Sequence, residues 1–357
     1  MGTRIAVELL LVTGTDELAK IRRPFPRTGT TKFKGIRIMK ALAKIFGTAS
    51  PIILVLLLCP MHASNAETLR VGTWKTAQTI QPFFYQQYIP DTKCKVFAFT
   101  NPADQKTSLL AGSLDMCGTT LAHAIYSASI GQPVVIVAAL CNKCSALVVK
   151  KDGPVKKIPD LKGKTIGYVP GTMHEILLRE VLTRNGLFPG KDVRLTRVDF
   201  FDMAIALAGG SIDAFLSGEP FPTLAVSQGY GKILAYPYYD DTIGTINAGM
   251  LVTRRMIEQR PEVVKKLVWA HAKATVFLKK NQELWLRRAS SFGTALPVLK
   301  KAAANMELAW KIDRAFISRA KALGARMQAL KVIDRQPDYD RLFDLSFVEE
   351  TSKEVAP

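Results

Sequence analysis

The sequence predicts an α/β protein built as two lobes of similar plan, on three observations. Short β-type runs alternate with helical ones, the pattern of strand–helix–strand units and a largely parallel sheet. The alternation restarts after Lys150-Lys151-Asp152-Gly153-Pro154, a turn-forming segment that reads as a crossing between lobes. The run Leu109-Leu-Ala-Gly-Ser-Leu-Asp-Met116 is echoed by Leu207-Ala-Gly-Gly-Ser-Ile-Asp-Ala214. Each reads as a helix end, a Gly cap and an acidic entry into a strand.

Along the first half, LRVGTW is a strand, followed by a helix to about Tyr88, then strand KVFAF, a helix over Ala103 to Leu110, strand LDMCG, a helix over Leu121 to Ser129 and strand PVVIVAAL. The second half repeats this with TIGYV, a helix from Thr172 to Asn185, DVRLTRV, a helix over Asp202 to Ala208, SIDAFL and a helix from Pro220. The break at Pro170-Gly171 aims the helix start at Thr172 out of the carboxyl end of a strand, a place to hold something small and often negative. Strand Asn247 to Thr253 returns the chain to the first lobe. Helices then follow at Pro261 to Lys280, Gln282 to Ser290, Pro297 to Met306, Ile312 to Leu323 and Tyr339 to Phe347. The division expected is therefore a leader region over 1–66, lobe 1 over 67–150, lobe 2 over 151–245, and 246–357 as the return with C-terminal helices.

Composition fits this plan: 357 residues, 48% hydrophobic and 22% charged, are ordinary for a globular chain of two domains. Within the leader, Met39-Lys40 and Lys44 precede the apolar run Pro51 to Leu58 and the small residues Ser64-Asn65-Ala66, the layout of a secretory signal peptide over 39–66. The apolar run is too short to span a bilayer. Met39 is itself a natural start. Arg22-Arg23 lies far from the apolar run for a twin-Arg signal, and Cys59 after three leucines matches a lipobox only loosely. Export implies a periplasmic protein with four remaining cysteines, Cys94, Cys117, Cys141 and Cys144, in an oxidising compartment where disulfides can form. The first 66 residues hold ten Lys/Arg against three Asp/Glu, so about +12 of the net charge of +19 belongs to the rest. That charge suits an anionic ligand or acidic partner, or a basic solvated surface; no basic stripe with interleaved aromatics points to nucleic acid.

Three stretches, LLAGSLDMCGTT, ALVVKKDGPVKKIPDLKGKTIGYVPGT and LAGGSIDAFLSGEP, resemble the substrate-binding proteins of bacterial ABC importers, in their nitrate/sulfonate/taurine branch and most of all the taurine type. The resemblance covers about 210 residues from Thr68 to about Lys280. It implies a type II periplasmic-binding-protein fold, two α/β lobes on a hinge with the ligand in the cleft, no catalysis, no cofactor, a monomer, and delivery to an ABC permease and its ATPase complex in the inner membrane.

On that plan the strand ends name the cleft residues: Trp74, Lys75 and Thr76, then Cys117, Gly118, Thr119 and Thr120, then Ser145, from the first half, and Gly171, Thr172, His174, Glu219 and Asn247 from the rest. Helix starts at Thr119, Gly171 and Glu219, with Lys75 and His174 nearby, favour a small oxyanion; Trp74 and the aromatics Phe83 to Tyr85 favour an organic body attached to it. A sulfonate or taurine-like solute thus ranks above bare nitrate, with a pyrimidine or other heterocycle as alternative. Glu219 either supports a helix dipole or pairs with a ligand ammonium. Cys141-Asn-Lys-Cys144 reads as a structural or idle pair, as a soft metal site with Cys117, or as a redox pair. No G-x-S-x-G, H-E-x-x-H, P-loop or G-x-G-x-x-G occurs, and of four His one, His62, belongs to the signal region.

Overall fold

The computed structural model describes residues 67–238 and 242–355. The expected signal peptide, with Cys59 and His62, lies outside them. No helix among the described residues is long and apolar enough to cross a membrane.

The alternation becomes two sheets within one compact unit. In the first, β1 (Thr68–Trp74) lies between β2 (Lys93–Phe99) and β3 (Met116–Thr120), all parallel, with α1 (Pro102–Leu110) and α2 (Leu121–Ser129) as crossovers leading to β4 (Val134–Lys143). Between β1 and β2 the chain forms two 3-10 turns, Ala77–Thr79 and Gln81–Gln87, where the sequence predicts one helix. Pro82 has no N–H to donate, so an α-helix cannot run unbroken across it.

The second sheet holds β5 (Ser145–Lys150), β6 (Thr165–Tyr168), β7 (Arg194–Arg197), β8 (Ala214–Gly218) and β9 (Gly231–Ala235) in the order β7-β6-β8-β5-β9, flanked by α3 (Met173–Arg184), α4 (Met203–Ala208) and α5 (Phe221–Ser227). The chain returns as β10 (Ile246–Thr253), and the first sheet, completed by β11 (Met306–Leu308), reads β11-β4-β10-β3-β1-β2. Each sheet has one plan: three parallel strands, then an antiparallel strand (β10 or β5), then a fifth strand (β4 or β9), to which the first sheet adds β11. Strands covered on both faces need continuous apolar runs, which is why β4 is buried from Val134 through Cys141.

This topology moves the first crossing. The chain leaves the first sheet at Lys143 and enters the second at Ser145, so the lobes are joined at Cys144 and not at Lys151 to Pro154. Lys150 to Pro154 is a turn inside the second lobe, and residues 145–150 belong there too. Sequence reading merged β5 with the first lobe because two apolar strands in succession carry no mark of which sheet each joins. Lys143 (φ 60°) and Cys144 (φ 81°) turn the backbone between them.

The echoed corners do the same job in both lobes. Asp115 donates its N–H to the Arg70 carbonyl (2.8 Å) and its carboxylate accepts from Arg70 N (2.7 Å), tying β3 to β1; Asp213 donates to the Thr165 carbonyl (2.8 Å) and accepts from Thr165 N (2.9 Å), tying β8 to β6. Gly112 (φ 74°) and Gly210 (φ 79°) make the left-handed turn before each. Asp115 also pairs with the guanidinium groups of Arg70 (2.9 Å) and Arg260 (3.1 Å) at 4% exposure. Asp115→Ala is therefore expected to lower unfolding free energy by about 3 kcal/mol, as for breaking a buried ion pair, and Asp213→Ala by about 1.5 kcal/mol, as for one charged hydrogen bond. Urea unfolding measures both, and equal losses would contradict the assignment.

After β10, α6 (Arg254–Gln259), α7 (Pro261–Lys280), α8 (Gln282–Ser290), α9 (Leu296–Ala302), α10 (Arg314–Ala329), α11 (Tyr339–Leu342) and α12 (Ser346–Ser352) follow. Most pack on the first lobe, while α9 reaches α5 of the second. His271 of α7 is fully buried, with Nδ1 2.9 Å from the Tyr85 hydroxyl and Nε2 2.7 Å from the Ala139 carbonyl.

Candidate functional site

The carboxyl ends of both sheets meet around one narrow cleft. From the first lobe come Trp74 and Phe99, register partners at the ends of β1 and β2, with Thr76, Gln78, Thr100, Thr120 and Asn247. From the second come Gly218 at the end of β8, His174 in the first turn of α3, and Phe200, Phe201 and Phe221. Phe200 stacks on Phe221 (5.7 Å between centroids, 8° between planes), and Phe201 and His174 stand edge-on to Phe221 and Phe200 at 4.9 and 6.0 Å. The cavity between these walls is about 20 Å³, room for about one water.

Of the residues expected to line the cleft, Trp74, Thr76, Thr120, His174 and Asn247 do so. Lys75 is exposed and off the wall; its backbone N–H donates to the Phe99 carbonyl. Cys117, Gly118 and Thr119 are buried within β3, and Ser145 sits behind His174, its hydroxyl 3.1 Å from Nδ1. Sequence reading missed Gln78, Phe99, Phe200, Phe201 and Phe221, although Phe99 ends β2 and the Phe200-Phe201 pair follows β7 by the same strand-end rule that found Trp74.

The helix starts are not bare. Thr172 caps α3 by accepting from Glu175 N, and the Glu175 carboxylate accepts from Gly171 N (2.6 Å) and pairs with Arg179 (2.8 Å), so the protein's own carboxylate occupies the place expected for an anion. Thr120 accepts from His123 N at α2, and the Glu219 carboxylate accepts from Thr223 N at α5. Gly171 (φ 72°) has a second constraint: a Cβ there would lie 2.8 Å from Cε1 of His123, which reaches it from the first lobe.

Glu219, expected to face the cleft, is not on its wall; its carboxylate is taken up at the start of α5. Its N–H donates to the Cys144 carbonyl (2.8 Å), and burial pushes its carboxyl up to about 7. Asn247 donates to the Lys143 carbonyl (2.8 Å) and to Cys144 Sγ (3.2 Å), Asn305 donates to the Ser145 carbonyl (3.1 Å), and the Tyr238 hydroxyl donates to Asn305. This polar knot grips the backbone where the lobes join. Cys94, Cys117, Cys141 and Cys144 are all free thiols, and burial raises the pKa of each, opposite to what a reactive thiolate needs. Among the described residues no three His, Cys, Asp or Glu gather to hold a metal. Burial also pushes the His123 and His174 imidazoles down to about 4, so both are neutral near pH 7. The lining of the aromatic cavity thus carries no charged side chain.

The sequence pattern of the NMT1/THI5-like family matches residues 93–284, more than half of the chain. The chain belongs to this family. Relatives include an Escherichia coli K12 protein named for binding aliphatic sulfonates, 26% identical over 179 residues. That match covers 48% of this chain and 55% of the relative, so the chain spans little more than half the relative's length. A Brucella abortus protein named only as a binding protein is 28% identical over 252 residues, 69% of this chain and 74% of its own. The 4-amino-5-hydroxymethyl-2-methylpyrimidine phosphate synthase of Schizosaccharomyces pombe is 31% identical over 121 residues, 34% of each chain. In fold, the chain is similar to the alkanesulfonate-binding protein SsuA from Xanthomonas axonopodis pv. citri bound to MOPS (TM-score 0.70, 19% identity, covering 78% of this chain and 98% of that one) and to the periplasmic nitrate-binding protein NrtA from Synechocystis PCC 6803 (0.68, 18%, 82% and 89%). The family member therefore has the two-lobed periplasmic-binding-protein fold.

Proposed function

We propose that the protein is an exported, monomeric solute receptor that captures a small organic solute between its lobes and delivers it to an ABC permease and its ATPase complex, without catalysis. One observation carries this reading: a cavity walled from both lobes, lined by aromatic rings and bordered by polar atoms with no partner among the described residues, Trp74 Nε1 and Gln78 Oε1. Apolar walls with a few convergent polar groups are what a small-molecule site needs. The relatives named for sulfonate binding support an organic sulfonate as the ligand. Bare nitrate ranks lower because it gives the rings nothing to cover. A cavity of about 20 Å³ admits no such solute, so the lobes separate to load it and close again over it.

The test is thermal unfolding with a panel of sulfonates, nitrate, amino acids and pyrimidines. Stabilisation by an organic member with no turnover is expected; steady turnover of one with no stabilisation by any overturns the receptor reading. Trp74→Ala is expected to weaken an aryl sulfonate at least tenfold, about 1.4 kcal/mol, and to leave nitrate unchanged. A second reading, an uncharged heterocycle as ligand, is favoured by the absence of charge on the cavity lining and by the pyrimidine phosphate synthase among the relatives.

A further inference from the structure

The charge-free lining raises the question of what the head of a solute would bond to, and His174 gives an answer that depends on Ser145. The two side chains meet where β5 begins beside the first turn of α3, with Ser145 Oγ 3.1 Å from His174 Nδ1. Both residues are buried, at 4% exposure each. Burial keeps the imidazole neutral near pH 7, so the ring carries one proton, on one nitrogen or the other.

The hydrogen bond decides which. Ser145 Oγ makes no other hydrogen bond among the described residues. If Nδ1 carried the proton and donated, the buried hydroxyl proton would have no acceptor; if the hydroxyl donates to a bare Nδ1, every proton of the pair is placed. The ring proton then lies on Nε2, which has no partner of its own among the described residues. That nitrogen lies against Gly218, where a Cβ would stand only 2.7 Å from it, so only a residue without a side chain leaves room for it at the cleft wall. His174 and Gly218 both line the cavity, as does Trp74 of the first lobe, whose Nε1 is buried and likewise unpartnered.

We infer that Ser145 is a positioning residue that, by donating to His174 Nδ1, fixes the imidazole as an Nε2–H donor to an acceptor on the bound solute. On the reading of the cleft as a sulfonate site, on which this rests, a sulfonate oxygen takes that N–H, and Trp74 offers a second N–H from the other lobe. Two neutral donors on facing lobes then hold the head without a cationic side chain.

The first measurement is nitrogen NMR of histidine-labelled protein at pH 7, with the His174 signals assigned by their loss in His174→Gln. The ring proton is expected on Nε2 in wild type and in Ser145→Thr, which keeps the hydroxyl. Calorimetry with benzenesulfonate is the second. Ser145→Ala is expected to weaken binding about fivefold, the worth of one hydrogen bond, and Ser145→Thr less than threefold. In a His174→Gln background the side-chain amide has its own N–H and no tautomer to fix, so Ser145→Ala should cost less than twofold there, a difference that a merely structural loss at β5 would not show. Unliganded melting checks the fold of each variant, and the proton's place in wild type remains a test if Ser145→Ala melts out. A proton on Nδ1 in wild type, unchanged affinity in Ser145→Ala, or an equal cost in both backgrounds overturns the inference and leaves the aromatic cleft standing. If wild type binds no benzenesulfonate, the sulfonate reading falls instead, while the proton's place still decides for or against Ser145.

Discussion

Unfolding free energy is expected to fall by several kcal/mol as pH drops from 7 to 4. His123, His174 and His271 are held neutral by burial, their pKa values down from 6.5 to about 4. A depressed histidine contributes stability that is intact above pH 6.5 and lost as pH falls towards 4, because the unfolded chain takes up the proton first. Each is worth about 3 kcal/mol over that interval, from 1.36 kcal/mol per pKa unit. Glu219 has the opposite sign. Its carboxyl, raised from 4.5 to about 7, adds stability that is fully present below 4.5 and is lost as pH rises through 7. It offsets about one histidine, which leaves a net loss of about 7 kcal/mol, comparable to the whole stability of many domains. His271, locked between Tyr85 and Ala139, is hydrated only by unfolding. His271→Gln should therefore remove about one third of the histidine contribution. Urea unfolding at pH 7, 6, 5 and 4.5 measures it; stability that stays level or rises from 6.5 to 5 contradicts the account.

Gly171→Val is expected to abolish tight ligand binding while leaving the fold in place. At φ 72° an L side chain is strained by about 1–2 kcal/mol, and a branched Cβ more so. That strain acts in open and closed forms alike and should lower the melting temperature by only a few degrees. The contact with His123 acts across the lobes: a Cβ 2.8 Å from Cε1 and 3.0 Å from Nε2 cannot be accommodated unless the imidazole or the lobe shifts. Ligand that relies on the closed form then loses at least a hundredfold in affinity, about 2.7 kcal/mol. Calorimetry with benzenesulfonate reads the loss, and small-angle scattering should show no compaction at saturating probe. In a His123→Ala background the effect of Gly171→Val should shrink, a coupling that a purely local strain would not produce. An unchanged affinity would remove the closing contact from the mechanism.

The amino-acid sequence by itself determined whatever depends on neighbours along the chain. Periodicity marked α7 and α8 at the bounds observed, Pro261–Lys280 and Gln282–Ser290, and Gly before Ser-x-Asp marked both corners where Asp115 and Asp213 clamp the adjoining strand. Strand ends named Trp74, Thr120, His174 and Asn247. Only the tertiary structure decided what depends on distant partners. β5 joins the second sheet because it pairs with β8 and β9, far along the chain, and nothing in Ser145 to Lys150 records that choice. Glu219 is kept off the cleft because its carboxylate accepts from Thr223 N at the start of α5. The bare helix start suggested by Pro170-Gly171-Thr172 is closed by Glu175, a residue whose reach back to Gly171 no spacing alone revealed as a rival to a ligand. Hydrophobic pattern and capping act over a few residues and are written locally; which charges and rings share a cleft is set by chain closure over scores of residues, and becomes legible only once the sheets are formed.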